Sequence, residues 1–200
     1  MNDSLDIDES LIPVRDFKPA SQSTISFDGM LSNPLLLQED LKEGVELGAG
    51  GGLVGLALAR RCHPEVPRIY ITDQAPMLPL MKTNIKLNNL SSTVEATVLN
   101  WGDSLPDSIP KHPAIILAAD CVYFEPAFPL LISTLNDLLG PDSICYFCFK
   151  RRRRADLRFM KHARKMFDVE EIRDDPDAET YRRENIFLYQ IRLKSDKRAV

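Results

Sequence analysis

From Val45 onward the chain alternates short apolar runs with segments of helical period. Val45-Glu46-Leu47 reads as a brief strand entering the glycine-rich turn Gly48 to Gly52. Leu53 to Cys62 follows as a helix with Leu53, Leu56, Ala57 and Ala59 on its buried face. Arg68 to Thr72 predicts a second strand that ends at Asp73. Pro76 to Asn89 predicts a helix with Pro76 and Pro79 in its first turn, where a missing N–H does little harm. Val94 to Leu99 alternates as a strand and leads into Asn100-Trp101-Gly102-Asp103. Ala114 to Ala119 is continuously apolar, as a central parallel strand covered on both faces must be, and it ends at Asp120. Pro126 to Leu139 is an amphipathic helix closed by Gly140-Pro141. Ile144 to Phe149 is a further strand, Ala155 to Phe167 a further helix, and Phe187 to Leu193 a last strand beyond the acidic loop around Asp174 to Glu179. Strands alternating with helices predict an α/β domain built on a mainly parallel sheet.

Upstream of Val45 the pattern is lost. Residues 1–24 are polar, acidic and aperiodic and read as a flexible arm. Residues 25–41 carry an apolar patch interrupted by Gly29 and Pro34, which suggests a short hairpin or docking segment. The domain proper is therefore expected over residues 25–200. Only Val45 and Leu47 are apolar in the first strand, and Lys42-Glu43-Gly44 stand directly before it. A buried central strand should hold four to eight apolar residues, and burying unpaired Lys42 and Glu43 would be costly. The chain thus reads as shortened just before Val45.

Composition narrows the class. With 200 residues, 44% hydrophobic and 27% charged, the chain has the material for one globular core. No apolar stretch is long enough for a membrane span, and the acidic start does not read as a signal peptide. Four cysteines without such a signal suit free thiols in a reducing compartment. A cytoplasmic location is the default expectation, with nuclear entry open through Lys150 to Arg154. The net charge of −4 argues against bulk attraction to nucleic acid. Its distribution is uneven: residues 150–165 carry nine basic side chains and one acid, while 168–179 carry seven acids and one arginine. That stripe reads as a nuclear-localisation or nucleic-acid patch, or as a solvated helix start facing an acidic partner.

Four places carry candidate chemistry. Glu46 and the turn Gly48-Ala49-Gly50-Gly51-Gly52 lie where a strand meets a helix, so backbone can approach a ligand closely. Gly50, Gly52 and Gly55 match the G-x-G-x-x-G dinucleotide spacing. The acid two positions before Gly48 suits instead a cofactor with a cationic end and no pyrophosphate, S-adenosyl-L-methionine. Asp73 ends the second strand and is placed to accept hydrogen bonds from ribose hydroxyls, or to cap the next helix. Trp101 is placed to pack on adenine, or to fill the core. Asp120 and Tyr123 follow the apolar strand at the sheet edge where ligands bind in such folds. Asp120 is suited to attract an ammonium group and Tyr123 to orient it, with capping again the competing role for the aspartate.

Other features are set aside. Cys145 and Cys148 share a strand, where positions three apart face opposite sides, so they cannot share a metal. His63, His112 and His162 have no ligand spacing, and no metal is expected. The absence of an Asn/Asp-Pro-Pro-Tyr/Phe sequence counts against methylation of a nucleic-acid base.

Taken together, VELGAGGGLVGLA (45–57), YITD (70–73), LNWGD (99–103) and AADCVYFEPAF (118–128) resemble the seven-strand, family-16-type protein-lysine methyltransferases. Within that family the chain looks most like the fungal enzymes acting on translation elongation factor 1-alpha, with the lysine methyltransferase of the valosin-containing protein a near relative. The resemblance implies a Rossmann-like, seven-stranded class I methyltransferase sheet, mostly parallel with one antiparallel strand. It implies that Glu46, Gly48, Gly50 and Gly52 line the methionine and ribose end of the cofactor. Asp73 would hold the ribose hydroxyls, Trp101 would contact adenine, and Ala119 would add backbone to the cofactor wall. Asp120 and Tyr123 would face the incoming lysine. The partner expected is a protein, elongation factor 1-alpha or a chaperone-type ATPase, and the chain is expected to be a monomer. Relatives place one to two helices, with a cofactor-contacting tryptophan, between the leucine-rich lead-in and the glycine strand; here Leu41-Lys42-Glu43-Gly44 joins Val45 directly. Two alternatives stay open: a nicotinamide-dependent oxidoreductase, and a shortened, catalytically impaired relative that only binds partners.

Overall fold

The computed structural model describes residues 43–61 and 68–194. The acidic arm 1–24, the apolar patch 25–41, and Lys42, Cys62 and His63 lie outside the described residues.

Apart from β6 (Phe167–Glu171) and the short α5 (Ala178–Arg183), which the sequence reading did not give, the elements follow the alternation read from the sequence. They are β1 (Gly44–Leu47), α1 (Leu53–Arg61), β2 (Ile69–Asp73), α2 (Leu78–Leu87), β3 (Val94–Val98), β4 (Ile115–Ala119), α3 (Phe128–Leu138), β5 (Ile144–Lys150), α4 (Arg154–Met166), β6 (Phe167–Glu171), α5 (Ala178–Arg183) and β7 (Ile186–Leu193). Single 3-10 turns, Ala75–Met77 and Glu125–Ala127, carry Pro76 and Pro126 and lead into α2 and α3. The sheet runs β3-β2-β1-β4-β5-β7-β6. All neighbours are parallel except at β7, which runs antiparallel to both β5 and β6. The seven-stranded sheet with one reversed strand is the one the resemblance implied.

Six of these strands are marked by apolar runs. The seventh, β6, is Phe-Asp-Val-Glu-Glu, with Phe167 buried, Val169 half-buried, and Asp168 and Glu170 exposed. It lies at the sheet edge, where one solvated face removes the continuous apolar signal, and charged edge residues also discourage pairing with another chain.

Strand β1 begins after Glu43. Gly44 pairs with Ile69 and Ile115, the first residues of β2 and β4, so the three central strands begin flush. The sheet does not extend back to Glu43, which is half-buried beyond its edge.

Period-two alternation in β1 and β2 sends residues to two layers. Val45, Leu47 and Tyr70 join a large cluster with Leu131, Leu135 and Phe147, against α3 and α4. Ile69 and Ile71 face the other way, into a smaller cluster with Leu56, Ala59, Met81 and Ile85 of α1 and α2. Phe159 of α4 stacks on Phe147, ring centroids 5.2 Å apart, and meets Phe128 edge-on at 5.3 Å. One helix assignment needs correction: Leu53 is 49% exposed, whereas Gly55, Leu56 and Ala59 are the buried residues of α1. Leu53 begins the helix beyond the carboxyl ends of the strands, so it has no sheet beneath it.

Candidate active site

The strand order reverses direction between β1 and β4, the topological switch point at which open α/β sheets bind ligands. Leu47 of β1 pairs with Ala118 of β4, so Gly48 and Ala119 leave the sheet side by side. The glycine turn and the Asp120–Tyr123 loop are thereby neighbours, although about 70 residues separate them. Cys121 ties them together, its Sγ lying 3.3 Å from the carbonyl oxygen of Leu47. Burial pushes the Cys121 thiol well above its ordinary pKa, so it stays neutral and serves as a wall and not as a nucleophile.

The glycine turn is fixed from three sides. The Gly50 N–H donates to Asp73 Oδ2 at 2.7 Å, and the Ala49 N–H to the Thr72 carbonyl at 2.9 Å. Asn84 of α2 donates from Nδ2 to the Gly51 carbonyl at 2.8 Å. Gly52 has φ +84°, and a Cβ placed there would lie 2.5 Å from Ile71 Cδ1. Gly50 also has a positive φ, +56°, but a Cβ on it would meet nothing within 4 Å. The turn is thus packed behind Gly52 and open in front of Gly50, as a backbone cradle for a ligand should be. On Gly48 a Cβ would lie 2.9 Å from Cζ2 of Trp101, which places the indole against the first residue of the turn. Trp101 is half-buried and packs on the larger core cluster, so it belongs partly to the core and partly to the site.

Asp73 does not cap the following helix. Its Oδ1 accepts from Gln74 N at 2.7 Å, and the 3-10 turn that follows has no side-chain cap. Its carboxylate sits at the end of β2 beside Gly50, where oxygen lone pairs remain to take the hydroxyls of a ribose. Open backbone at Gly50, a carboxylate beside it and an indole against Gly48 form a donor and acceptor set that fits an adenosine cofactor. Among the described residues no group of three or more His, Cys, Asp or Glu could hold a metal ion.

Glu46 has a different place. Alternation in β1 turns it toward α1, where it is buried, and its Oε2 accepts from the Gly55 N–H at 2.8 Å. The Thr72 hydroxyl donates to its backbone carbonyl at 2.7 Å. In this structure Glu46 pins the start of α1 to the strand. Burial raises its carboxyl from the ordinary 4.5 to about 7, against the lowering effect of the Gly55 and Val54 N–H groups, with the Asp73 charge adding a further rise. The folded chain therefore binds a proton that the unfolded chain has already lost across this range. Stability is expected to fall by about 3 kcal/mol as pH rises from about 4.5 to about 7. Urea unfolding at the two ends of that window should show the loss in the parent chain and not in Glu46→Gln, which keeps an acceptor for Gly55. Equal pH dependence in the two proteins would contradict a protonated Glu46.

The Asp120 loop carries a signal that was not legible in the sequence. Asp120 has φ +58°, in the left-handed region, and its N–H donates to the Cys148 carbonyl at 2.7 Å. Its carboxylate takes a two-pronged contact from Arg152, at 2.7 and 2.9 Å. Arg153 donates to the Tyr123 carbonyl, and Arg158 contacts Glu125 at 2.8 and 2.7 Å. The basic stripe thus emerges from β5 directly beside the Asp120–Tyr123 loop. Asp120 caps no helix; the 3-10 turn begins after Phe124. Tyr123 is half-exposed, and Ala119 is half-buried at the end of β4.

Comparison with known proteins identifies the family. Residues 35–166 match the family described as lysine methyltransferase. The chain is 38% identical over 180 residues to the protein-lysine N-methyltransferase EFM6 of Saccharomyces cerevisiae, covering 83% of this chain and 73% of that protein. It is 31% identical over 154 residues to EEF1A lysine methyltransferase 3 of Mus musculus, covering 76% of this chain but only 62% of that protein. Among solved structures, the S-adenosylhomocysteine-bound methyltransferase PaMTH1 of Podospora anserina superposes with a TM-score of 0.57 at 15% identity, over 77% of this chain and 72% of that one, a likeness of fold. These matches go against the nicotinamide-dependent oxidoreductase. With the family matched over more than half of the chain and a 38% identical relative covered to 73% of its length, the chain belongs to the lysine methyltransferases.

Proposed function

We propose that this chain transfers a methyl group from S-adenosylmethionine to the side-chain amine of a lysine in a translation elongation factor of the 1-alpha class. The observation that carries the reading is the switch point, which sets the glycine turn, Asp73 and Trp101 beside Asp120 and Tyr123 on one edge of the sheet. Two further supports are the family match and a mouse relative named for elongation factor 1-alpha.

When bound, S-adenosylmethionine supplies a methyl group already activated on a sulfonium, so the protein's task is largely positioning. Backbone of Gly48, Gly50 and Gly52 lines the cofactor, with the Ala119 backbone as its far wall. Asp73 takes the ribose hydroxyls and Trp101 lies against the adenine. Glu46 acts from behind, holding the turn in register. Asp120 attracts the substrate ammonium and aligns it, while the exposed Tyr123 orients the lysine stem. A free lysine has a pKa of about 10.4, so the ammonium must lose its proton before it attacks. Half-exposed Asp120 stabilises the charged form, which leaves proton removal to solvent.

The test is incubation of the intact chain with isotopically labelled S-adenosylmethionine and, in parallel, unmethylated recombinant elongation factor 1-alpha or a chaperone-type ATPase, followed by mass spectrometry. Label on a single lysine is expected. Label on a chaperone-type ATPase in place of the elongation factor would overturn the target, and label on neither would overturn the activity.

A further inference from the structure

Residues 151–154 form four consecutive arginines at the carboxyl end of β5, and the site uses only part of their charge. Arg152 meets Asp120, Arg153 lies 3.6 Å from Asp156, and Arg158 of α4 meets Glu125. Among the described residues, Lys150, Arg151 and Arg154 have no carboxylate within ion-pair distance. Arg151 instead donates to Asn185 Oδ1 at 2.9 Å and lies over the Phe187 ring at 5.1 Å. Arg151, Arg152, Arg153, Arg154, Leu157 and Asn185 together line a shallow depression on this face.

The stripe is held in place. Asp156 is buried, and its Oδ2 accepts from the backbone N–H groups of Arg152 and Arg153 at 2.8 and 3.0 Å. That contact fixes the turn out of β5 and directs Arg152 to Asp120 and Arg153 to the Tyr123 carbonyl. Leu157, 51% exposed, adds an apolar floor beside the arginines.

From this geometry we infer that the depression is the docking surface for the protein substrate, and that the target lysine is carried on a segment with acidic residues at one side. The inference rests on the lysine-methyltransferase reading and adds its substrate class. A lysine at Asp120 brings a positive charge into contact with Arg152, which opposes binding unless flanking carboxylates draw the arginines away and neutralise them. Acidic side chains one or a few residues from the lysine would do both, pairing with Arg151 and Arg154 and releasing Arg152 from Asp120. Nucleic acid would also neutralise the stripe, but it carries no ammonium group to replace Arg152 at Asp120.

The test is fluorescence anisotropy of the intact protein with three labelled probes. They are a short peptide with a lysine flanked by Asp and Glu, the same peptide with Asn and Gln in their place, and a short oligouridine. The acidic peptide should bind about tenfold more tightly than the neutral one, with the advantage shrinking as salt is raised. The double variant Arg151→Glu/Arg154→Glu should lose that advantage, and Arg151→Lys/Arg154→Lys should keep most of it. S-adenosylhomocysteine affinity, which belongs to a different part of the edge, should be unchanged in both and reports the cofactor site independently. Equal binding of the two peptides, or tighter binding of the oligouridine, would overturn the inference. Retained preference in the glutamate variant would overturn it as well.

Discussion

Gly52→Ala is expected to lower the thermal midpoint of unfolding by about 6–12 °C. A Cβ on Gly52 would sit 2.5 Å from Cδ1 of Ile71, a side chain that is itself fully buried between α1 and β2. Forcing a methyl group into a packed interior costs about 1–3 kcal/mol, and a left-handed φ adds about 1–2 kcal/mol for any residue with a Cβ. A loss near 3 kcal/mol converts to the stated shift at about 2–4 °C per kcal/mol for a domain of this size. Gly50→Ala is the informative control. Its φ is also positive, so it should lose about 1 kcal/mol, but its Cβ meets nothing within 4 Å and the fold should persist. What it should lose is cofactor affinity, by about tenfold or more, because the methyl group enters the space that the backbone leaves open to the ligand. Differential scanning fluorimetry with and without S-adenosylhomocysteine separates the two variants. A Gly52→Ala protein that melts with the parent would show that the turn is not packed against Ile71.

Asp120→Asn is expected to lower kcat/KM for methyl transfer about 100-fold while leaving S-adenosylhomocysteine affinity within about twofold. Asparagine is the clean replacement because it tolerates the φ of +58° almost as well as aspartate and changes only the charge. The Arg152 pair itself contributes little to folding. Both side chains are about half exposed, so solvent screening holds its worth to about 0–1 kcal/mol. The effect should therefore fall on the lysine end of the reaction and not on the melting temperature. Steady-state kinetics with the unmethylated protein substrate, read beside a melting curve, checks this. An Asp120→Asn enzyme that works at the parent rate would remove Asp120 from the mechanism.

Much of the fold was visible in the sequence because the central strands are buried on both faces. Ala114 to Ala119 could belong only to the middle of a parallel sheet, and β4 lies there. Strand β6 escaped because an edge strand with Asp168 and Glu170 turned to solvent carries only two inward apolar side chains, Phe167 and Val169. Leu53 was misplaced because helical period alone does not say where the sheet beneath a helix ends. At the site, the glycine turn and the strand-end acids were legible because they sit next to their strands in sequence. The environment of Glu46 was less so. Two-residue alternation points it to the α1 layer, but its bond to the Gly55 N–H depends on how the turn closes. The pairing of Arg152 with Asp120 could not be read at all. It joins residues 32 positions apart that meet because β4 and β5 are adjacent and parallel, and Ala119, the last residue of β4, pairs with Cys148 just before β5 ends at Lys150.

The most direct measurement is calorimetric titration of the intact chain with S-adenosylhomocysteine, with circular dichroism recorded on the same sample. One-to-one binding with a Kd in the micromolar range, sharply weakened in Gly50→Ala, is the expected result. It would establish that the glycine turn, Asp73 and Trp101 form a working cofactor site at the switch point. A folded chain that binds nothing would contradict that site, and with it the assignment of the chain as an active lysine methyltransferase.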